Sequence, residues 1–272
     1  MSSRGDAPLG VFDSGLGGLT VVRALRARVP HESIVYLGDT ARVPYGTRSA
    51  ETVVKYALGC ARVLVARGVK AIVVACGTVS SVAIEALRIE LDLPVIGVIE
   101  PSAAAAVDAA GGGMIGVLGT PGTIASNAYP RAISTRSTRA EVVQRAAPLF
   151  VPLAEEGWLD GDVPRLAAER YLSSVISAGA RTIILGCTHY PLLRTVIETE
   201  ARRQAGEDVA VIDTGSAVAD EVARFLAERG LEADPSRRGS LDVLVTDLPK
   251  SFAEVAARFL GSEVGEVTQI DL

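Results

Sequence analysis

Short apolar runs alternate along this chain with longer segments in which apolar residues recur at helical spacing. The runs span four to six residues, are rich in Val, Ile and Leu, and are mostly apolar at both alternating positions. That pattern is typical of parallel strands covered on both faces. The intervening segments, such as 49–68, end in glycine as helices often do. We predict strands at 9–12, 33–38, 71–75, 94–99, 114–119, 182–186, 209–213 and 242–247.

The alternation of strands and helices predicts an α/β fold whose sheets are mainly parallel. A strand followed by cysteine and threonine occurs in each half of the chain, and the glycine-rich stretch 109–114 lies between the two occurrences. We therefore expect two similar lobes and not one wide sheet. The carboxyl ends of the strands would line a cleft between such lobes, and this is where open α/β sheets bind ligands.

Composition narrows the class of protein. The chain has 272 residues, of which 49% are apolar and 22% charged, as expected for a soluble globular protein. Its net charge of −5 gives no support for binding to nucleic acid or to an anionic membrane. The three cysteines suggest no disulfide framework, and we find neither a signal peptide nor an apolar run long enough to span a membrane. We therefore expect a cytoplasmic protein.

Two cysteines occupy similar positions in the two halves of the chain. Cys76 and Cys187 each follow a predicted strand and precede a threonine, Thr78 or Thr188, and a predicted helix start. A helix N-terminus favours the thiolate form of a cysteine, and two such thiols would flank one cleft if the lobes face each other. The alternative is that cysteine serves as a small buried hydrophobe. We assign that structural role to Cys60, which falls inside a helical pattern.

A glycine-rich stretch follows the first predicted strand, where Asp13 and Ser14 precede three glycines. The stretch can form a loop whose backbone approaches a ligand, with Asp13 as an acid, base or orienting group. Alternatively, Asp13 or Ser14 caps a helix and the glycines form turns. A dinucleotide-binding fingerprint is not met, because Thr20 stands where the third glycine would be.

Other candidate side chains have both a functional and a structural interpretation. Tyr45, between proline and glycine, indicates a rigid turn that carries an aromatic hydroxyl. His189 is a metal ligand, a base for the thiol of Cys187 or a structural histidine; the chain's cysteines and histidines do not assemble a zinc site at their spacings. Glu155 and Glu156 are either functional carboxylates or solvated ones at a helix start.

Four stretches together resemble the bacterial glutamate racemases of the cofactor-independent aspartate/glutamate racemase family. The stretches are VFDSGLGGLTV, GDTARVPYGTRS, PLFVPLAEEG and LGCTHYPLL. The resemblance implies an isomerase that interconverts L- and D-glutamate for peptidoglycan synthesis without pyridoxal phosphate or metal. It implies two α/β lobes, formed by 1–98 plus 209–272 and by 99–208, with the active site between them. A homodimer is common in that family.

The resemblance also assigns roles to residues. It implies that Cys76 and Cys187 are the two acid/base thiols and that Asp13, His189 and Glu155 assist them. Two bases suit a racemisation, because one removes the α-proton on one face while the other returns a proton on the opposite face. The implied substrate-binding residues are Asp13, Ser14, Tyr45, Gly46, Gly77, Thr78, Thr188 and His189.

One position departs from the family pattern. The family has asparagine directly after the first cysteine, where this chain has Gly77. The missing amide predicts weaker substrate binding, so we expect Gly77→Asn to raise kcat/KM. The alternatives are a racemase of aspartate or a related acid, and a homologue that binds glutamate with little turnover. A hydrolase that uses Cys187 and His189 would leave Cys76 unexplained.

Overall fold

A computed structural model of the protein describes residues 4–272. Within that range ten strands, all paired in parallel, form two separate sheets. The strands are β1 (Leu9–Asp13), β2 (Ile34–Gly38), β3 (Ala71–Val74), β4 (Val95–Gly97), β5 (Ile115–Gly119), β6 (Val142–Ala146), β7 (Thr182–Leu185), β8 (Ala210–Asp213), β9 (Leu241–Val245) and β10 (Val267–Gln269). The first sheet has the order β10-β9-β2-β1-β3-β4 and the second β6-β5-β7-β8. The predicted α/β fold with two parallel sheets is confirmed.

Helices connect the strands of both sheets. Several of them end at a glycine with positive φ, for example Gly111, Gly157 and Gly230, because only glycine adopts that backbone conformation without strain. Of the helices between residues 4 and 272, none is both long and apolar enough to cross a membrane. The helices are α1 (Leu19–Arg28), α2 (Ala50–Ala66), α3 (Gly77–Val82), α4 (Ile84–Glu90), α5 (Ile99–Ala110), α6 (Pro121–Ala125), α7 (Ala128–Ser134), α8 (Phe150–Glu156), α9 (Asp162–Ser177), α10 (Arg194–Ala205), α11 (Thr214–Arg229) and α12 (Phe252–Leu260).

All eight apolar runs predicted as strands form strands, and two further strands were missed. β6 lies at the edge of the second sheet and contains Gln144 and Arg145, so it has no continuous apolar run. β10 is an edge strand of three residues. Both missed strands are partly exposed along their length, and their sequences therefore lack the fully apolar pattern of a buried strand.

The second sheet extends further along the chain than the sequence indicated. β8 pairs with β7, so Ala210–Asp213 belong to the second sheet. The boundary that we placed after residue 208 therefore has to move to the end of β8. α11, which follows β8 directly, contacts strands of both sheets and joins the two halves of the molecule.

In each sheet the order in which the chain adds strands reverses at one place, a topological switch point. β1 lies between β2 and β3, and β5 lies between β6 and β7, so in both sheets the chain continues first on one side and then on the other. The loops after the two central strands diverge there and leave a crevice. Asp13 and Cys76 follow the strands at the first of these switch points, and Thr120 and Cys187 those at the second.

The two lobes share a hydrophobic core. One cluster of buried side chains contains Val73 from the first sheet and Ile184 from the second, together with Ala103 of α5 and Val222 of α11. Because apolar surface of both sheets is removed from water in the same cluster, separating the lobes would expose much of it. The lobes are therefore held together by packing and do not depend on the connecting chain alone.

A buried ion pair lies at the amino-terminal ends of β2 and β3 in the first sheet. The Lys70 ammonium pairs with the Glu32 carboxylate, and it donates hydrogen bonds to the carbonyl oxygens of Gly5 (2.5 Å) and Leu231 (2.8 Å). Glu32 also accepts a hydrogen bond of 2.8 Å from the backbone N–H of Ala233. The two side chains are only 2% and 4% exposed, so neither charge has water to replace its partner.

We expect Lys70→Met to lower the free energy of unfolding by about 3–5 kcal/mol, because the substitution leaves the Glu32 charge buried and unpaired. The double variant Lys70→Met with Glu32→Gln should recover part of this loss, since it buries no net charge. Urea unfolding of both variants and of the wild type measures the difference. If Lys70→Met were as stable as the wild type, this would contradict the conclusion that the Lys70–Glu32 ion pair compensates two buried charges.

Candidate active site

A cavity of about 280 Å³ lies where the two switch points face each other. Its walls come from both lobes, which suits a small molecule held between them. Of the eleven residues that the sequence predicted for the site, ten line this cavity, and Asp13 lies behind its wall. The ten are Ser14, Tyr45, Gly46, Cys76, Gly77, Thr78, Glu155, Cys187, Thr188 and His189.

Cys76 stands between β3 and α3, as the sequence predicted, and is 6% exposed. Its sulfur lies 3.4 Å from the Ser14 hydroxyl oxygen. Burial first, and then the charge of Asp13, raise the pKa of the Cys76 thiol to about 12, although hydrogen bonds from Ser14 and the Val79 N–H act in the opposite direction. Desolvation thus outweighs the favourable position at a helix start, and Cys76 keeps its proton at neutral pH in this state.

Asp13 is buried at the carboxyl end of β1. One carboxylate oxygen accepts a hydrogen bond of 3.0 Å from the Gly15 N–H, and the other has no hydrogen-bond partner among residues 4–272. Burial raises the pKa of Asp13, although the charge of His189 and several backbone N–H groups lower it. Asp13 does not cap α1, because that helix begins at Leu19 and is preceded by Gly18.

Cys187 differs from Cys76 in its surroundings. No α-helix begins beside it: a 3₁₀ turn, Tyr190–Leu193, follows, and α10 begins only at Arg194. The predicted helix start is therefore wrong at this position. The Nδ1 atom of His189 instead lies 3.8 Å from the Cys187 sulfur. An imidazolium at that distance stabilises a negative charge on the sulfur.

Glu155 completes a chain of three groups. The Nε2–H of His189 donates to its carboxylate over 3.0 Å. Burial alone would lower the pKa of His189, but the hydrogen bonds and charges of Cys187 and Glu155 outweigh it and raise the pKa to about 10. Glu155 lies at the end of α8, so the predicted helix start is wrong at this position, while its side chain is half exposed as the solvated alternative expected.

The loop that carries Tyr45 is held by a buried carboxylate that the sequence did not single out. The Tyr45 hydroxyl donates a hydrogen bond to Asp39, which also accepts from the Arg42 Nε–H (2.7 Å) and the Thr246 hydroxyl (2.8 Å). The Tyr45 hydroxyl thus already donates its proton to the hydrogen bond with Asp39. Tyr45 can contribute its ring and backbone to the cavity, but its hydroxyl holds the loop in place.

Gly77 lies against the backbone of the opposite lobe. A Cβ atom built at this position would overlap the carbonyl oxygen of Gly186, which precedes Cys187. This neighbour is backbone, so it cannot turn aside as a side chain would. The opposite lobe thus reduces the space available to an asparagine side chain at this position. This argues against the higher kcat/KM that the sequence predicted for Gly77→Asn.

Thr120 is a cavity residue that the sequence analysis missed. It follows β5, and its hydroxyl oxygen lies 2.9 Å from that of Thr78 in the other lobe. The strand-end rule that found Cys76 would also have found Thr120 at the end of the predicted strand 114–119. The walls contributed by Pro148, Val151 and Pro152 had no comparable signal.

A second cavity, of about 850 Å³, is lined by polar side chains that include Ser80, Arg88 and Arg131, but by neither active-site thiol. Within residues 4–272 no group of three or more His, Cys, Asp and Glu side chains is placed to hold a metal ion. The acid/base groups are instead concentrated in the smaller cavity. There a thiol from one lobe and a thiol paired with imidazole from the other form a set suited to moving protons.

Comparison with known proteins agrees with this chemistry. Residues 19–222, well over half of the chain, match the sequence model of a family described as Asp/Glu/Hydantoin racemase. The chain belongs to the Asp/Glu/hydantoin racemase family. The resemblance inferred from the four sequence motifs is thereby confirmed.

Relatives within this racemase family are similar over most of their length. The chain is 52% identical over 221 residues to the glutamate racemase of Geobacter metallireducens, covering 81% of this chain and 78% of that protein. The structure of a Francisella tularensis glutamate racemase in complex with D-glutamate matches with a TM-score of 0.90 at 36% identity, covering 98% of each chain. A Bacillus anthracis glutamate racemase isoform matches with a TM-score of 0.92 at 38% identity, also over 98% of each chain.

The raised pKa of His189 makes the stability of this racemase depend on pH. Because the folded-state pKa of about 10 exceeds the usual 6.5, the stabilisation is fully present below pH 6.5 and is lost as the pH rises through about 10. We expect the free energy of unfolding, measured with urea, to fall over this range in the wild type and to fall less in His189→Asn. His31→Asn, which alters the other, exposed histidine, is the control. Parallel curves for wild type and His189→Asn would contradict the assignment.

Proposed function

We propose that this chain is a glutamate racemase that interconverts L- and D-glutamate through two cysteines. The observation that carries the proposal is the approach of Cys76 and Cys187 to one cavity from different lobes. The names of the relatives and the D-glutamate bound to the Francisella enzyme support glutamate as the substrate. In this role the enzyme supplies D-glutamate for peptidoglycan synthesis.

The reaction requires one thiolate and one thiol at a time. The thiolate takes the α-proton of glutamate, and the electron pair of the broken C–H bond remains on the α-carbon and spreads into the α-carboxylate. The thiol on the opposite face then gives its proton to that carbon, which inverts the configuration. The first cysteine is now the thiol and the second the thiolate, so the same two steps in reverse convert the other enantiomer.

The surroundings of the two sulfurs support different starting roles for them in this proposal. His189, held by Glu155, favours a negative charge on Cys187, whereas burial and Asp13 keep the proton on Cys76. In the resting enzyme Cys187 is therefore the base and Cys76 the acid. The two thiols are coupled through the field between them, because a charge on Cys187 raises the pKa of Cys76.

Binding of the substrate would rest on hydroxyl groups and on one carboxylate. Five serine and threonine residues line the cavity, and no lysine or arginine is among its described lining residues. The five are Ser14, Thr47, Thr78, Thr120 and Thr188. Hydroxyl and backbone N–H donors can hold the two carboxylates of glutamate and the charge that develops on the α-carboxylate. The Asp13 oxygen without a hydrogen-bond partner lies behind the cavity wall beside Ser14, from where the charge of Asp13 can act on Cys76 and on a substrate ammonium.

We expect the purified protein to racemise both enantiomers of glutamate, followed by circular dichroism, and to show much lower activity with either enantiomer of aspartate. Cys76→Ser and Cys187→Ser should each lower kcat by about 10²–10⁴-fold, because a serine hydroxyl is a far weaker base. Cys60→Ser is the control, since that thiol is buried and does not line the cavity. Full activity in either active-site variant would refute the two-cysteine mechanism, and a preference for aspartate would refute the substrate.

A second test concerns the contact between Gly77 and the Gly186 carbonyl of the opposite lobe. We expect Gly77→Ala and Gly77→Asn each to lower kcat/KM for glutamate by about tenfold or more, because the added Cβ displaces Cys76 relative to Cys187. Gly59→Ala in α2 is the matched control, since a Cβ there meets no atom within 4 Å. A higher kcat/KM in Gly77→Asn would show that the lobes make room for the amide and that the contact does not limit the reaction.

A further inference from the structure

Helix α12 reaches from the first lobe to the acid/base groups of the second. It lies between β9 and β10 of the first sheet along the chain. The Phe259 ring packs against the His189 ring with centroids 5.0 Å apart and an interplanar angle of 78°. The neighbouring Arg258 donates a hydrogen bond from its guanidinium to the backbone carbonyl of Glu155. Two consecutive residues of one helix thus contact both partners of the His189–Glu155 pair.

The end of α8 is shaped to receive Arg258. The helix stops at Gly157, whose φ of 76° opens the chain, and the Arg258 guanidinium lies against this glycine. A positive group at the carboxyl end of a helix is favourable, because it meets unpaired carbonyl oxygens and the negative end of the dipole. Glu254, one turn earlier in α12, holds the other side of the guanidinium at 3.2 Å.

Phe259 contacts the imidazole in a place where orientation matters. The Nδ1 atom faces the Cys187 sulfur at 3.8 Å and the Nε2–H faces Glu155 at 3.0 Å, so a turn of the ring would break both contacts. The other groups that act on His189 are the Thr188 hydroxyl at 3.5 Å and the charge of Asp13. Phe259 is fully buried and excludes water from the side of the imidazole that it covers.

We propose that Phe259 and Arg258 are positioning residues, which hold the His189 ring and the end of α8 so that imidazolium, sulfur and carboxylate stay in line. Neither residue lines the cavity, so they act through His189 and Glu155. This inference rests on the proposed role of Cys187 as one of two bases. It makes the first lobe responsible for the geometry of the base that belongs to the second lobe.

A matched pair of variants on α12 tests Phe259. Phe252 lies in the same helix and the same hydrophobic cluster, is 2% exposed and does not contact His189. Phe259→Leu and Phe252→Leu should lower the melting temperature by similar amounts. We expect only Phe259→Leu to lower kcat/KM for glutamate, by about tenfold or more. Equal kcat/KM values in the two folded variants would overturn the proposal.

Isotope effects give a readout that a merely structural role would not change. If Phe259→Leu slows proton transfer to Cys187 alone, the deuterium isotope effect on kcat/KM should rise for the α-deuterated enantiomer that Cys187 deprotonates and fall for the other. Phe252→Leu should leave both effects at their wild-type values. Isotope effects that change in the same direction for both enantiomers would overturn the proposal. An active Cys187→Ser variant would instead refute the underlying two-base function, so the two failures are distinguishable.

Arg258 provides a test that leaves the core intact, because its side chain is 21% exposed. Arg258→Met removes the donor to Glu155 and should lower kcat/KM with the same divergence of isotope effects. Arg258→Lys keeps a positive charge at the end of α8 and should recover part of the activity. Glu254→Gln removes the ion pair on the far side of Arg258 and is the control. Wild-type kinetics in Arg258→Met would overturn the role of Arg258, whether or not Phe259→Leu folds.

Discussion

Two backbone turns meet where the lobes close, one after Cys76 and the other before Cys187. Gly77 lies against the carbonyl of Gly186, with no side chain between them that could adapt. The separation of the two thiols is therefore set by the packing of whole lobes, through the shared hydrophobic cluster and the hydrogen bond of 2.9 Å from the Thr20 hydroxyl to the Thr188 carbonyl. Proton transfer between thiols and a substrate carbon tolerates little displacement, so a rigid contact of this kind suits the proposed reaction.

Both sulfurs are buried, but they have different neighbours and therefore differ in how well they can carry a charge. A buried charged sulfur needs a partner, and the His189 imidazolium is next to only one of the two sulfurs. Cys76 has Ser14 as a weak partner and Asp13 as a repulsive one, so its proton stays in place. Under the proposed mechanism the resting enzyme is thus prepared for one direction of transfer, and the charge pattern has to reverse before it accepts the other enantiomer.

The sequence predicted what local patterns determine. Buried strands show continuous apolar runs, and the groups that follow them at strand ends, such as Cys76 and Cys187, could be placed in one cleft. The helix start after Cys187 was wrong, because apolar spacing does not distinguish a 3₁₀ turn from an α-helix over four residues. Other features come from tertiary contacts. The Tyr45 hydroxyl donates a hydrogen bond to Asp39, and the Phe259 ring packs on His189 from a distant segment of the chain. No periodicity in the chain encodes such contacts.

The charges around the cavity also bear on which molecule it accepts. Among the buried groups, His189 lies 3.8 Å from the Cys187 sulfur, and its charge offsets only part of the effect of burial on Asp13, one of whose oxygens has no hydrogen-bond partner among residues 4–272. Burial raises the pKa of Asp13, so its charge is costly in this state. A ligand that brings an ammonium group would relieve this cost, whereas a hydroxy acid of the same shape would not. Under the proposed function, the unpaired oxygen of Asp13 behind the cavity wall therefore favours an α-amino acid over its hydroxy analogue, even though hydroxyl and backbone donors could hold the carboxylates of both.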